Sequence, residues 1–111
     1  MKEDLKEVAL TYFKIFSQKN INGLRPMFSE NITLRDWDIH AVGIEDVLKA
    51  NSNIFNNVNT IKVIPENIIL ENNFISAELK IIVNDEEELK VVDLIEFNES
   101  GKITSIKAFK G

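Results

Sequence analysis

Leu5, Val8, Ala9, Tyr12, Phe13, Ile15 and Phe16 recur at spacings of three and four with Lys and Glu between them, which predicts an amphipathic helix over 3–19. A second, short helix is expected over 22–28, with Asn22 as its cap and Pro26 in or near its first turn. The β-branched stretch 31–36 predicts a strand. A third helix is expected over 44–55, with Ile44, Val47, Leu48, Asn51 and Phe55 on one side and Gly43 just before it. The period then changes. Segments 60–64, 74–83, 88–97 and 103–109 are strand-like, and residues 84–87 and 98–101 supply turns of hairpin length between the last three. Helices first and strands second is an α+β pattern: N-terminal helices packed on a strongly curved antiparallel sheet. No repeat, linker or composition shift divides residues 1–111, so one domain is expected.

Charge narrows the partners. Thirteen basic residues against 18 acidic give a net charge of −5. Arg25 and Arg35 are the two arginines, and the lysines are scattered singly among carboxylates. A nucleic-acid ligand needs a basic face to release counterions, and an anionic membrane needs a basic cluster; neither is expected here. No apolar run approaches the ~18 residues of a membrane span. Residues 1–20 lack the basic head and apolar block of a signal peptide. Zero cysteines exclude a disulfide scaffold and suit a reducing cytoplasm. Richness in Ile, Asn and Lys points to an AT-rich bacterial genome.

The informative residues are polar groups on apolar faces. In strand 88–97 the row Leu89, Val91, Asp93, Ile95, Phe97 shares one face, and Asp93 interrupts it. A carboxylate there must be hydrogen-bonded, paired, or protonated with a raised pKa. It is either a structural aspartate or a functional one. Tyr12 stands between Val8 and Phe16 on the apolar stripe of the first helix, so its hydroxyl points toward the core or a cavity and needs a partner. Asp36 ends a strand behind Ile32 and Leu34, where it could serve as a general base or simply close the strand. Asp38 could supply the same chemistry if the strand continues. His40 reaches that side only if the chain stays extended, and otherwise sits in a solvated loop. One His, no Cys and no carboxylate cluster at ligand spacing argue against a metal. No phosphate-binding loop and no nucleophile elbow is present, so no cofactor is expected. Any chemistry falls to carboxylates and a phenol.

The stretches Tyr12–Leu24, Met27–Ile32, Gly43–Val47 and Val92–Phe109 resemble the nuclear transport factor 2-like superfamily, and within it SnoaL-like and ketosteroid isomerase-like proteins. That resemblance implies a cone-shaped α+β barrel enclosing one pocket, often paired as a homodimer through the sheet. It also implies catalytic roles: Tyr12 and a protonated Asp93 as an oxyanion hole, and Asp36 as the base that shuttles a proton. Trp37, Asp38 and His40 would stand at the pocket mouth, with Phe16 and Phe55 as further ligand-binding residues. The implied ligand is a small hydrophobic or cyclic carbonyl compound, isomerised by proton abstraction next to the carbonyl.

Two function classes follow. An isomerase-like enzyme calls for a hydrogen bond between Tyr12 and Asp93, with Asp36 across the same cavity. A non-catalytic ligand-binding or dimerisation module calls for Asp93 consumed by structural bonds, Asp36 facing solvent, and a cavity filled by Phe13, Phe16 and Phe97. An epoxide-hydrolase reading needs an arginine inside the pocket, and Arg35 alternates to the face opposite Asp36.

Overall fold

A computed structural model describes residues 4–111. The helix expected over 3–19 begins at Glu3, which lies outside the described residues. Helix α1 spans Leu5–Ser17 and is capped by Asp4, whose carboxylate accepts from the backbone N–H of Lys6 at 3.1 Å. Its inner face buries Ala9, Tyr12 and Phe13. Helix α2, Ile21–Leu24, is capped by Asn20 rather than Asn22: the Asn20 side chain accepts from the Gly23 N–H at 3.0 Å. Pro26 lies in the following 3₁₀ turn, Arg25–Met27, where it removes no needed donor. Helix α3 is Ile44–Asn57, and its buried residues are Val47, Leu48, Asn51 and Phe55.

Six strands follow the chain as β1 Phe28–Arg35, β2 His40–Val42, β3 Ile61–Glu71, β4 Phe74–Val83, β5 Glu87–Phe97 and β6 Ile103–Lys110. Strand β3 runs well past the predicted end at Ile64. Pro65 is tolerated because β3 is an edge strand and its pairing with β4 slips between Pro65 and Asn67. Strand β2 carries no sequence signal of its own; it pairs antiparallel with β1 after a tight turn.

The sheet order is β2-β1-β6-β5-β4-β3. One pairing departs from the expected antiparallel sheet: β1 and β6 run parallel. The chain's last strand returns beside its first, and no hairpin can join them. The sheet does not close on itself, and β2 and β3 are its edges. Helix α1 packs against β3 while α3 packs against β1 and β2, so both cover one face. That face supplies the core, with Phe13, Leu24, Ile32, Ile95, Phe97 and Ile103 all buried. Among the described residues, no helix is long and apolar enough to cross a membrane.

One side chain ties helix to sheet. The Ser17 hydroxyl donates to the Phe13 carbonyl at 2.9 Å and accepts from the Val63 N–H at 2.9 Å. Val63 is on the edge strand, so without Ser17 its amide faces α1 with no ladder partner. Ser17→Ala is expected to lower the unfolding free energy by about 1–2 kcal/mol, the cost of one orphaned part-buried donor. Urea unfolding at unchanged slope measures it; a loss near zero would mean that solvent replaces the hydroxyl.

Candidate functional site

Strand alternation places Asp93 on the covered face, between Val91 and Ile95. Its cross-strand neighbours are Ala77 on β4 and Ala108 on β6. Two methyl groups leave room around the carboxyl and offer it no donor. Asp93 is 8% exposed, and no hydrogen bond compensates it among the described residues. Burial, and secondarily the negative charge of Asp36, therefore raise its pKa to about 7.

Tyr12 reaches the same space from α1. Its ring sits among Phe13, Phe16 and Phe28, with centroids 5.4, 6.0 and 6.2 Å away. Burial and the charge of Asp93 push its phenol well above the usual range, so it stays protonated and serves as a donor. Tyr12 and Asp93 thus feel each other, yet they share no hydrogen bond. The expected Tyr12–Asp93 bond is not formed; each group lines the cavity and makes no hydrogen bond among the described residues.

Asp36 follows the last residue of β1 and builds the turn into β2. Its Oδ1 accepts from the Asp38 N–H at 2.7 Å and the Ile39 N–H at 2.5 Å, while its own N–H donates to the Ile39 carbonyl at 2.9 Å. One carboxyl oxygen is thereby held by the backbone. The side chain still lines the cavity.

The cavity measures about 260 Å³ and lies between α1, α3 and the covered face of the sheet. It is smaller than the ~300–1,000 Å³ that drug-sized ligands occupy, and suits a molecule of one or two rings. Most of its wall is apolar, from Leu34, Leu79, Val91 and Ile106 among others. Tyr12, Phe16, Asp36, Trp37, Asp38 and Asp93 all line it. Trp37 is 50% exposed at the rim, with the Lys110 ammonium 5.3 Å from its ring centroid.

Two expected residues lie elsewhere. His40 opposes Arg35 across the β1–β2 pair on the outer face, because the Asp36 turn folds the chain back before it; both are exposed and neither lines the cavity. Phe55 is buried behind Phe16, ring centroids 4.9 Å apart, and braces the wall without forming it. Phe97 is buried in the core and does not plug the cavity. A site residue given no role in the sequence analysis is Asn51, which is 2% exposed and lines the cavity from α3. Its signal was present: a polar residue on the stripe of Val47, Leu48 and Phe55. Among the described residues, no group of three or more His, Asp or Glu side chains is placed to hold a metal ion.

The Asp93 carboxyl has a consequence for stability. The folded chain keeps this proton up to about pH 7, whereas the unfolded chain releases it near pH ~4. Folding then binds a proton across that window, so the Asp93 contribution declines as pH rises through it and stays low above it. Asp93→Asn is expected to match the native chain near pH ~4 and to exceed its stability at pH ~8, by up to about 4 kcal/mol. Denaturant unfolding of both proteins across the window checks this. A constant difference between them would show that Asp93 ionises normally.

The comparisons agree with the fold. The SnoaL-like domain, as a sequence family, matches residues 9–106. A proposed ketosteroid isomerase from Kribbella flavida superposes with a TM-score of 0.85 at 13% identity, covering 99% of this chain and 79% of that one. A nuclear transport factor 2-like protein of unknown function from Cytophaga hutchinsonii gives 0.83 at 15% identity, covering 100% and 93%. A proposed SnoaL-like polyketide cyclase from a Jannaschia species gives 0.83 at 14% identity, covering 98% and 86%. At such identities the likeness is one of fold. Among curated proteins, none matches the sequence. With the family match running from α1 to β6, the chain belongs to the SnoaL-like domain family.

Proposed function

We propose that this protein binds a compact cyclic carbonyl compound and catalyses its isomerisation by moving a proton next to the carbonyl. The observation that carries the reading is the pair of uncommitted, protonated donors, Tyr12 and Asp93, facing one apolar cavity that Asp36 also lines. A ligand carbonyl oxygen would receive both hydrogen bonds. Donors not bonded to each other are free to converge on it, and negative charge developing on that oxygen is stabilised most in a dry site. Asp93 must be neutral to donate, since its carboxylate would repel an enolate.

Asp36 would take the proton from carbon and return it to another carbon of the ligand. Its Oδ1 is anchored by two backbone amides, which leaves Oδ2 as the basic oxygen. Trp37 and Asp38 would border the entrance, with Phe16 along the wall.

The same reading takes the protein to be a cytoplasmic homodimer paired through its sheet. The outer face offers exposed apolar side chains for this: Val92 and Phe109 are register partners there, with Phe74 on β4 and Ile69 farther out on the edge strand β3. One observation favours the non-catalytic alternative, a ligand-binding module: Asp36 already has a structural job in the turn.

Hydrogen–deuterium exchange at the carbon next to the carbonyl of β-tetralone, followed by NMR in heavy water, separates the two. The enzyme reading expects catalysed exchange that drops about 100-fold or more in Asp36→Asn, which keeps an acceptor for the turn but no base. Catalysed exchange that persists unchanged in that variant would remove Asp36 as the base, and no catalysed exchange by the native protein would leave the binding module. The pH profile gives a second check. The rate is expected to fall above about pH 7 as Asp93 loses its proton, and this alkaline fall is expected to vanish in Asp93→Asn. Persistence of the fall would assign it to another group.

A further inference from the structure

Asn51 occupies a position where its polarity costs stability and helps nothing in the fold. It sits in the middle of α3, where Asn is a weaker helix former than Ala or Leu, on the stripe that packs inward. At 2% exposure its side chain makes no hydrogen bond among the described residues, and its Oδ1 is fully buried without a partner. Buried amides in folded proteins are nearly always satisfied, and an orphan of this kind calls for an explanation. Leucine has the same branched heavy-atom skeleton, is larger by its two methyl groups, and would carry no polar cost in the stripe.

The place of Asn51 supplies the explanation. It lines the same cavity as Tyr12, Asp36 and Asp93. Those three are accounted for by the reaction proposed above. Asn51 is the buried polar group of the wall that remains without a task. No described residue meets its carbonyl, and because Oδ1 is itself closed to solvent, a donor in the cavity meets it only once the amide has turned. Rotation about the broad terminal torsion of Asn lets the amide turn toward whatever arrives.

We propose that the Asn51 amide is a specificity-determining contact that receives a hydroxyl group of the ligand, so that the substrate class is hydroxyl-bearing cyclic carbonyl compounds. This inference rests on the cyclic-carbonyl reading of the cavity. An O–H donates to the orphaned Oδ1, and its own oxygen can accept from the amide Nδ2. A ligand without the hydroxyl enters the same space but leaves Oδ1 buried and unpaired, and is discriminated against by that penalty. The volume of about 260 Å³ leaves room for a second ring between the carbonyl end and the hydroxyl end.

The test uses the whole protein and a matched ligand series: β-tetralone, its isomeric derivatives carrying one hydroxyl at each aromatic position in turn, and the corresponding methoxy compounds. Dissociation constants are measured by calorimetry for the native chain and for Asn51→Leu. At least one hydroxy isomer is expected to bind the native protein about 10-fold or more tightly than both β-tetralone and its methoxy counterpart. Asn51→Leu is expected to lose that preference, so that the hydroxy isomer, its methoxy counterpart and β-tetralone bind it within about threefold of one another. The side-chain amide resonances of Asn51 in the native protein are expected to shift when the preferred isomer binds, a readout that does not depend on the variant. Absence of any hydroxyl preference, a preference that survives in Asn51→Leu, or amide resonances that stay still would overturn the role of Asn51. Failure of every ketone in the series to bind would overturn the cyclic-carbonyl reading and this inference together. Hydroxyl preference with no catalysed exchange by the native protein would leave Asn51 in place and discard only the reaction.

Discussion

The site depends on one uncompensated burial: the Asp93 carboxyl stands on the covered face of the sheet with an alanine on either side. Most buried carboxyls are met by donors from neighbouring strands. Here Ala77 and Ala108 bring none, and the group answers by holding its proton. A neutral carboxylic acid is a hydrogen-bond donor at a pH where ordinary aspartates are acceptors only. The fold thus makes an acid by leaving a space empty of partners, and it does so in the interior of a strand whose position is fixed on both sides by register.

The other polar groups are placed by different means. Tyr12 is carried in by the inner stripe of α1 and steadied by three aromatic neighbours. Asp36 is set by backbone, since the turn that ends β1 uses its Oδ1 to bind two amides. Its charge adds to burial in raising the pKa of Asp93, so the turn that ends β1 also bears on the proton held on β5. Asn51 adds a third unpartnered group on the opposite wall, from α3. A cavity lined by unpaired polar groups is a less stable arrangement than a filled core, which is a common property of binding sites.

How much of this could be read from the sequence follows from the length scale of each signal. The α1 stripe and the alternation of β5 are local periodicities, and they place Tyr12 on the inner face of α1 and Asp93 on the covered face of the sheet. Asp36 at the end of β1 was equally readable. The turn beyond it was not, because it depends on the carboxylate reaching forward to Ile39, and so His40 ended on the outer face beside Arg35. The parallel pairing of β1 with β6 is a contact between the two ends of the chain, which no local pattern encodes. The run of β3 through Pro65 hid behind a residue that normally ends strands, and an edge position with a register slip resolves it. Phe55 carried the right apolar signal but serves as support for Phe16. Asn51 was visible as an interruption of the α3 stripe, by the same logic that marked Asp93. What the stripe could not say is that no neighbour satisfies its amide.

The most direct measurement is the titration of the Asp93 side-chain carboxyl carbon by NMR in protein labelled with carbon-13 at that position. A midpoint near 7 is expected, moving downward in Asp36→Asn as the neighbouring charge is removed. A midpoint in the ordinary carboxylate range near ~4 would mean that Asp93 is ionised in the cavity, and the neutral donor on which the whole account turns would not exist.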